Sequence, residues 1–247
     1  MNQAASDDSN NSFPLFKPWD ALALLRDVQR KAFKPGTEVF SEATNLFFFD
    51  LVTEHDSQNF SSYLGLLREE GVQFSAEFDA FEAAWRQDEW NHYLGYRRLY
   101  TICSGRDEDD VHRETIGRKA DFQPMAPLLD EEFKICLVLA YDEIFTAKAC
   151  QQDTKLFESF SDPTLATWNK LVARDEMFHF RNVTEILRRR HASRLSEAEA
   201  FLNRLIEWDL TGNDYKATFV LDHVSSRYTP TTLTKNRDTV LTQLTSP

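Results

Sequence analysis

Seven glycines and eight prolines are all that this chain of 247 residues offers for turns. Gly and Pro are the strongest local breaks in a sequence. A long chain with few of them makes few turns and long elements, which are most readily helices. A sandwich, a barrel or a multi-stranded α/β fold needs more turns than this. Apolar residues make up 42% of the chain, with 20 phenylalanines among them, enough for a large aromatic-rich core. Acids outnumber bases, and the net charge of −12 opposes binding along a phosphate backbone, so nucleic acid is not an expected partner. The acidic opening MNQAASDDSNNSF has no apolar stretch of the signal-peptide kind. The longest apolar run, ICLVLAY at 135–141, is far short of the roughly 20 residues that cross a bilayer. Cys103, Cys136 and Cys150 are too few and too scattered for a disulfide framework and read as buried thiols in a reducing, cytoplasmic setting.

Residues 1–17 read as a disordered start, 18–224 as a single helical domain, and 225–247 as a Thr/Ser-rich tail. Within the domain the sequence predicts a helix over 18–33, stopped by Pro35-Gly36. A second, over 37–70, carries apolar residues at Phe40, Ala43, Phe47, Leu51, Phe60, Leu64 and Leu67, with Gly71 behind it. A third starts after Ser75 as N-cap and reaches Cys103. A charged connector with room for a short helix leads to Pro124 and Pro127. Further helices are expected over about 128–151, over 163–190 with Asp162 as N-cap and Pro163 at the first helical position, and over 195–209. The four longest would each be roughly 33–50 Å long at about 1.5 Å per residue. Two of their connections are short, and the one at about 104–127 is long. An all-α four-helix bundle with a single long crossover is the ferritin-like arrangement, here with additional N- and C-terminal helices.

Two of these helices carry Glu-x-x-His: Glu89 and His92 in QDEWNHY, Glu176 and His179 in ARDEMFHF. Residues three apart share a helix face, so each pair can present an oxygen and a nitrogen to one metal ion. With only six His in the chain, two such pairs exceed what chance supplies. Both lie mid-helix beside bulky residues, Trp85 and Tyr96 in one case, Val172 and Val183 in the other. A carboxylate buried there needs a metal or a dense hydrogen-bond network. The other two long helices each offer a lone mid-helix acid, Glu54 and Glu143. One Glu from each of two helices and Glu-x-x-His from each of the other two make the inward-facing ligand set of ferritin-like di-iron and di-manganese proteins.

From about 44 to 190 the chain resembles the soluble acyl-carrier-protein desaturases. LVTEHDSQNFSSYLGLL is similar to that family's first ligand helix, with Glu54 on its ligand Glu. AWRQDEWNHYLGYRRLYTICSGR resembles its AWTAEENRHG segment, YDEIFTAKAC its helix with a ligand Glu followed by Thr, and ARDEMFHF its ADEKRH segment. The resemblance implies a di-iron site on Glu54, Glu89, His92, Glu143, Glu176 and His179, loaded with two Fe2+ ions, with an Mn/Fe pair as an alternative. It implies O2-dependent desaturation of an acyl chain held as a thioester on acyl carrier protein, a ferredoxin-type electron donor and a homodimer. A di-iron hydroxylase or N-oxygenase acting on a small specialised metabolite is the alternative. An iron-storing protein and a helical interaction module are the competing classes. Two positions depart from the family pattern: His55 stands where a second Glu is usual, and Tyr93 where Gly is.

Thr146 follows Glu143 by three residues. The resemblance implies a part in handling O2 and its protons; the bare sequence equally allows a bond to its own helix at the Asp142 carbonyl. Asp88 and Asp175 are candidates for orienting the His of the opposite pair, or solvated acids. Arg188, Arg189, Arg190 and Arg194 form a basic cluster in an acidic chain. It suits an acidic protein partner or the negative end of a helix. No Gly-rich phosphate loop is present, so a bound flavin or NAD is not indicated.

Overall fold

The computed structural model describes residues 13–211 and 228–246, and every regular element in them is helical. Four long helices form a bundle: α2 (Glu38–Glu69), α3 (Ala76–Ser104), α5 (Glu132–Ser159) and α6 (Pro163–Arg190). Shorter helices are α1 (Ala21–Leu24), α4 (Glu108–Ile116), α7 (Ala198–Thr211) and α8 (Pro230–Thr245). The long helices start where side chains satisfy their first free N–H groups. Thr37 accepts from Phe40 N, Ser75 from Phe78 N, and Asp162 from Thr164 N ahead of Pro163. Gly105 ends α3 in the left-handed region at φ 72°, where its N–H returns to the Thr101 carbonyl.

α2 packs chiefly on α3, and α5 on α6; α3 and α6 join the two pairs. The core falls into two apolar clusters, one at each end of the bundle. Along α2 the chain passes from Phe47 and Leu51 in one cluster to Phe60 and Leu64 in the other. α6 runs the same way, from Leu165 and Val172 to Val183 and Ile186. α3 and α5 run the reverse way, from Phe81 to Tyr96 and from Phe133 to Phe157. Consecutive helices in each pair are therefore antiparallel, and the connection from α3 to α5 recrosses the bundle end to end. It does so through α4 and a 3-10 turn at Gln123–Leu128.

Three segments differ from the sequence expectation. The stretch 18–33 is not one helix but the single turn α1 and a 3-10 turn at Arg30–Phe33. It is pinned at several points: Trp19 Nε1 donates to Asp175 (2.6 Å), Ala21 N to Asn91 Oδ1 (2.9 Å), and Ser161 N to the Ala32 carbonyl (3.0 Å). These tertiary anchors override a weak local preference. Of the segment expected to be disordered, 1–12 lies outside the described residues, but Leu15 is fixed on α6 through both its N–H and its carbonyl to Asn182 (2.7 and 3.0 Å). The expected tail holds α8, which begins at an N-capping Thr229 and Pro230 and buries Leu233, Asn236, Val240 and Leu244 against α5, α6 and α7. Its threonines bond back to carbonyls four residues earlier, as Thr234 does to Pro230 and Thr242 to Asp238. Residues 212–224, placed in the helical domain from the sequence, lie outside the described residues.

Candidate metal centre

On α2, α3 and α6 the residues singled out as ligands lie where the helix passes from one apolar cluster to the other; on α5 Glu143 lies just inside the cluster that holds Phe133, two residues before Phe145. Glu54, Glu89, His92, Glu143, Glu176 and His179 form a buried polar layer across the middle of the bundle, none more than 6% exposed. Glu89, Glu143, Glu176 and His179 offer ligand atoms within 4.8 Å of one another, and so do Glu54, Glu89 and His92. Glu89 belongs to both groups. Glu176 also faces both rings, with Oε1 3.2 Å from His92 Nδ1 and Oε2 3.4 Å from His179 Nδ1. Two adjoining centres result, with Glu89 and Glu176 placed between them.

The second ring nitrogens are held by acids. His92 Nε2 lies 3.2 Å from Asp175 Oδ2, and His179 Nε2 3.2 Å from Asp88 Oδ2. Each aspartate precedes the glutamate of one pair and serves the histidine of the other, which makes the arrangement two-fold. An Nε2–H donated to carboxylate leaves the Nδ1 lone pair facing the cluster. Asp175 is itself fixed by Trp19 Nε1 and by a bidentate contact from Arg174 (2.6 and 2.9 Å). Glu143 takes a bond from Trp85 Nε1 at 2.8 Å on Oε1, which leaves Oε2 3.1 Å from His179 Nδ1.

The donor set fits metal ions. Glu54 Oε2, His92 Nδ1 and Glu176 Oε1 are buried and make no hydrogen bond, although His92 Nδ1 is only 3.2 Å from Glu176 Oε1 and 3.6 Å from Glu54 Oε2. Such atoms are costly to bury unless something between them accepts their lone pairs. Carboxylates and imidazoles are both groups that ligate metal ions. Burial pushes the carboxyls of Glu54, Glu89 and Glu143 above their ordinary range, Glu89 further because of the Glu54 and Glu176 charges. Burial opposes charge on both rings too, but Glu54 beside His92 and Glu143 beside His179 outweigh it and raise both imidazoles well above the usual value. Burial acts on Glu176 likewise, yet the flanking His179 and His92 hold it far below the usual range. Without metal the layer is neutralised by protons.

Thr146 is half-buried and lines a cavity of about 70 Å³ that Glu54 also lines. Its hydroxyl lies 3.4 Å from the Asp142 carbonyl, a long bond within its own helix. The basic cluster is engaged: Arg189 pairs with Glu185 (2.6 Å), Arg190 with Glu77 (3.0 Å), and Arg194 with Glu131 (2.6 Å) and Glu197 (2.8 Å). All three cysteines are free and buried, and burial pushes the Cys103 thiol up to about 12. The departures His55 and Tyr93 meet beside the layer, with ring centroids 5.7 Å apart, and Tyr93 OH bonds to His112 Nδ1 at 2.6 Å.

Sequence reasoning did not find Trp19, which lies 156 residues from Asp175 and in no motif, nor Trp85 as a donor to Glu143. Trp85 carried a usable signal: it is one helical turn before Glu89, on the same face. No protein-family model, curated protein or solved structure matches the chain. Among the described residues no helix is long and apolar enough to cross a membrane.

Proposed function

We propose that this protein is an O2-dependent non-haem di-iron oxidase. One observation carries the proposal: six carboxylate and imidazole groups from four helices converge in a buried layer with unpaired donor atoms facing one another. Glu54, Glu89 and His92 would hold one ion and Glu143, Glu176 and His179 the other, with Glu89 and Glu176 shared. Two iron ions, or an Mn/Fe pair, would supply the redox chemistry of O2 reduction. The protein's own part is to fix both Nδ1 lone pairs through Asp88 and Asp175 and to keep water out with the apolar clusters on either side. Thr146, at the cavity wall, would deliver a proton there.

The resemblance directs the oxidation to an acyl chain on acyl carrier protein, with a ferredoxin-type donor supplying electrons. In desaturation O2 takes two hydrogen atoms from adjacent carbons, two electrons and two protons, leaving a double bond and two waters. Hydroxylation uses the same electrons and protons but leaves one oxygen on the substrate and one in water. The alternative, hydroxylation or N-oxygenation of a small metabolite, is favoured by the cavity at Glu54: it is small, about 70 Å³, and carries carboxylates in its wall. Buried free thiols support a reducing cytoplasmic setting.

Metal analysis of freshly purified protein tests the proposal, followed by mass spectrometry after the reduced protein meets O2 with acyl carriers or with small metabolites. Two iron ions per chain and a substrate that loses two hydrogens or gains one oxygen are expected. Protein that takes up no metal is a helical interaction module instead, and metal uptake without any oxidised product points to iron storage.

A further inference from the structure

We infer that Tyr93, Trp90 and His112 form an outlet for oxidising equivalents, through which an electron passes from the protein surface toward the buried layer. That the oxidant arises at the layer rests on the di-iron proposal; the passage of an electron through these side chains does not. Tyr93 follows His92 in α3 and is fully buried. Its ring lies 5.7 Å, centroid to centroid, from that of His55, which follows Glu54 in α2. On the same face of α3, three residues earlier, Trp90 stacks on Tyr93 at 4.8 Å and 26°. Trp90 is 39% exposed. The rings of His55, Tyr93 and Trp90 thus lead in single file from beside the layer to solvent.

A second observation is the base at the phenol. Tyr93 OH lies 2.6 Å from Nδ1 of His112, on α4. Burial, with Arg97 and His55 nearby, lowers the affinity of His112 for protons, so the ring is neutral and one nitrogen accepts. We assign its hydrogen to Nε2, which makes Tyr93 the donor to Nδ1. Packing alone does not call for this hydroxyl: a phenylalanine would fill the same space against Trp90 and His55. In the first step the phenol of Tyr93 gives one electron to an oxidant formed from O2 at the layer, and its proton moves to His112 Nδ1. In the second, Trp90 gives an electron to the tyrosyl oxygen and His112 returns the proton. The Trp90 radical cation then takes an electron at the surface from a small thiol, and two thiyl radicals couple to a disulfide. Oxidisable side chains stand against the layer: Trp85 donates to Glu143, and Cys150 and Tyr96 line the cavity at Glu54. An oxidant that meets no substrate attacks such groups unless an electron reaches it first.

Flash photo-oxidation of the purified full-length protein, with a ruthenium polypyridyl sensitiser and a sacrificial acceptor, tests the path by transient absorption and electron paramagnetic resonance. Metal content is measured on the same samples. A tyrosyl radical should grow in as a tryptophan radical decays. Tyr93→Phe, nearly isosteric, should lose most of the tyrosyl signal and leave the tryptophan radical longer-lived. Trp90→Leu should lower the tyrosyl yield severalfold, because the buried phenol is out of the sensitiser's reach. His112→Gln keeps an acceptor for the phenol but no base, and should slow tyrosyl formation about a hundredfold. Equal tyrosyl yield in Tyr93→Phe, or unchanged kinetics in His112→Gln, overturns the inference and leaves the Tyr93–His112 bond a tie between α3 and α4. In a second arm, metal-loaded protein reduced without air meets O2 and glutathione but no substrate, and peptide mass spectrometry locates added oxygen. Trp90→Leu and Tyr93→Phe should gain oxygen at Trp85, Tyr96 or Cys150 severalfold faster than the unmodified protein. Equal damage despite a working photochemical path overturns the outlet and leaves the di-iron proposal standing. A working path in protein that takes up no metal upholds the electron route and sinks the di-iron proposal alone.

Discussion

A single hydrogen atom decides the packing at Gly95. A β-carbon built there would lie 1.9 Å from Trp168 Cη2, and Trp168 is fully buried against Trp19 and Tyr96, with ring centroids 5.2 Å away in each case. The ring has nowhere to go. Gly95→Ala should cost ~1–3 kcal/mol by overpacking, read as a lower denaturant midpoint with an unchanged slope. Thr146 is a test of chemistry instead. Thr146→Val keeps the shape and loses the hydroxyl. Metal content and helicity should stay the same, while product formed per electron consumed falls and peroxide rises. A proton-transfer role is typically worth ~10²–10⁴ in rate. If coupling in a fully metal-loaded Thr146→Val protein is normal, the bond to Asp142 is all that this residue contributes.

At the level of elements, Glu132 ties three helix ends together. It stands at the start of α5, accepts from Ser75 N at the start of α3 with Oε2, and pairs with His191 just past α6 through Oε1 (2.9 Å). Burial alone would raise its carboxyl, but the His191 and Ser75 contacts overcome this and hold it below the ordinary value. A depressed folded value means stability that is present above the unfolded pKa and lost as pH falls through the folded one. Glu132→Gln should therefore destabilise by about 1 kcal/mol at pH 7. The melting temperatures of the two proteins should converge as the pH falls through the depressed folded value of Glu132, below which both side chains are neutral. A constant difference across this range would mean that shape, not charge, holds the junction. α8 is the element the sequence concealed. Its threonines lower helix propensity and read as a tail, while Leu233, Val240 and Leu244 mark one face at helical spacing. Leu233→Ala should cost ~2–5 kcal/mol in thermal unfolding, as a buried core leucine does, whereas a detached tail would show no change.

At the level of the molecule, the middle of the bundle holds a buried layer of carboxylates and imidazoles that could hold metal ions. Anything bound to the folded state alone stabilises it by mass action, by ~4 kcal/mol when free metal exceeds its dissociation constant about a thousandfold. Chelation should thus lower the melting temperature substantially, and readdition of Fe2+ under anaerobic conditions should restore it. His92→Ala should blunt this difference while far-ultraviolet circular dichroism stays helical. Identical melting curves with and without metal would mean that protons suffice to hold the layer.

Much of this was written in the chain itself. Sparse Gly and Pro, capping Ser75 and Asp162-Pro163, and the 3.6-residue apolar period are local signals, and they determine the four long helices wherever those helices end up. Glu-x-x-His is equally local, since three residues on a helix always share a face. What sequence could not decide is which side chains meet across helices. The crossing of Asp88 to His179 and Asp175 to His92, the donation of Trp85 to Glu143, and the reach of Trp19 to Asp175 depend on how rigid helices rotate against one another. So does the irregular path of 18–33, where local helix preference gave way to anchors more than 60 residues distant. Rotation and anchoring are set by the packing of Phe, Trp and Leu throughout both clusters at once, and no short window of sequence contains that sum.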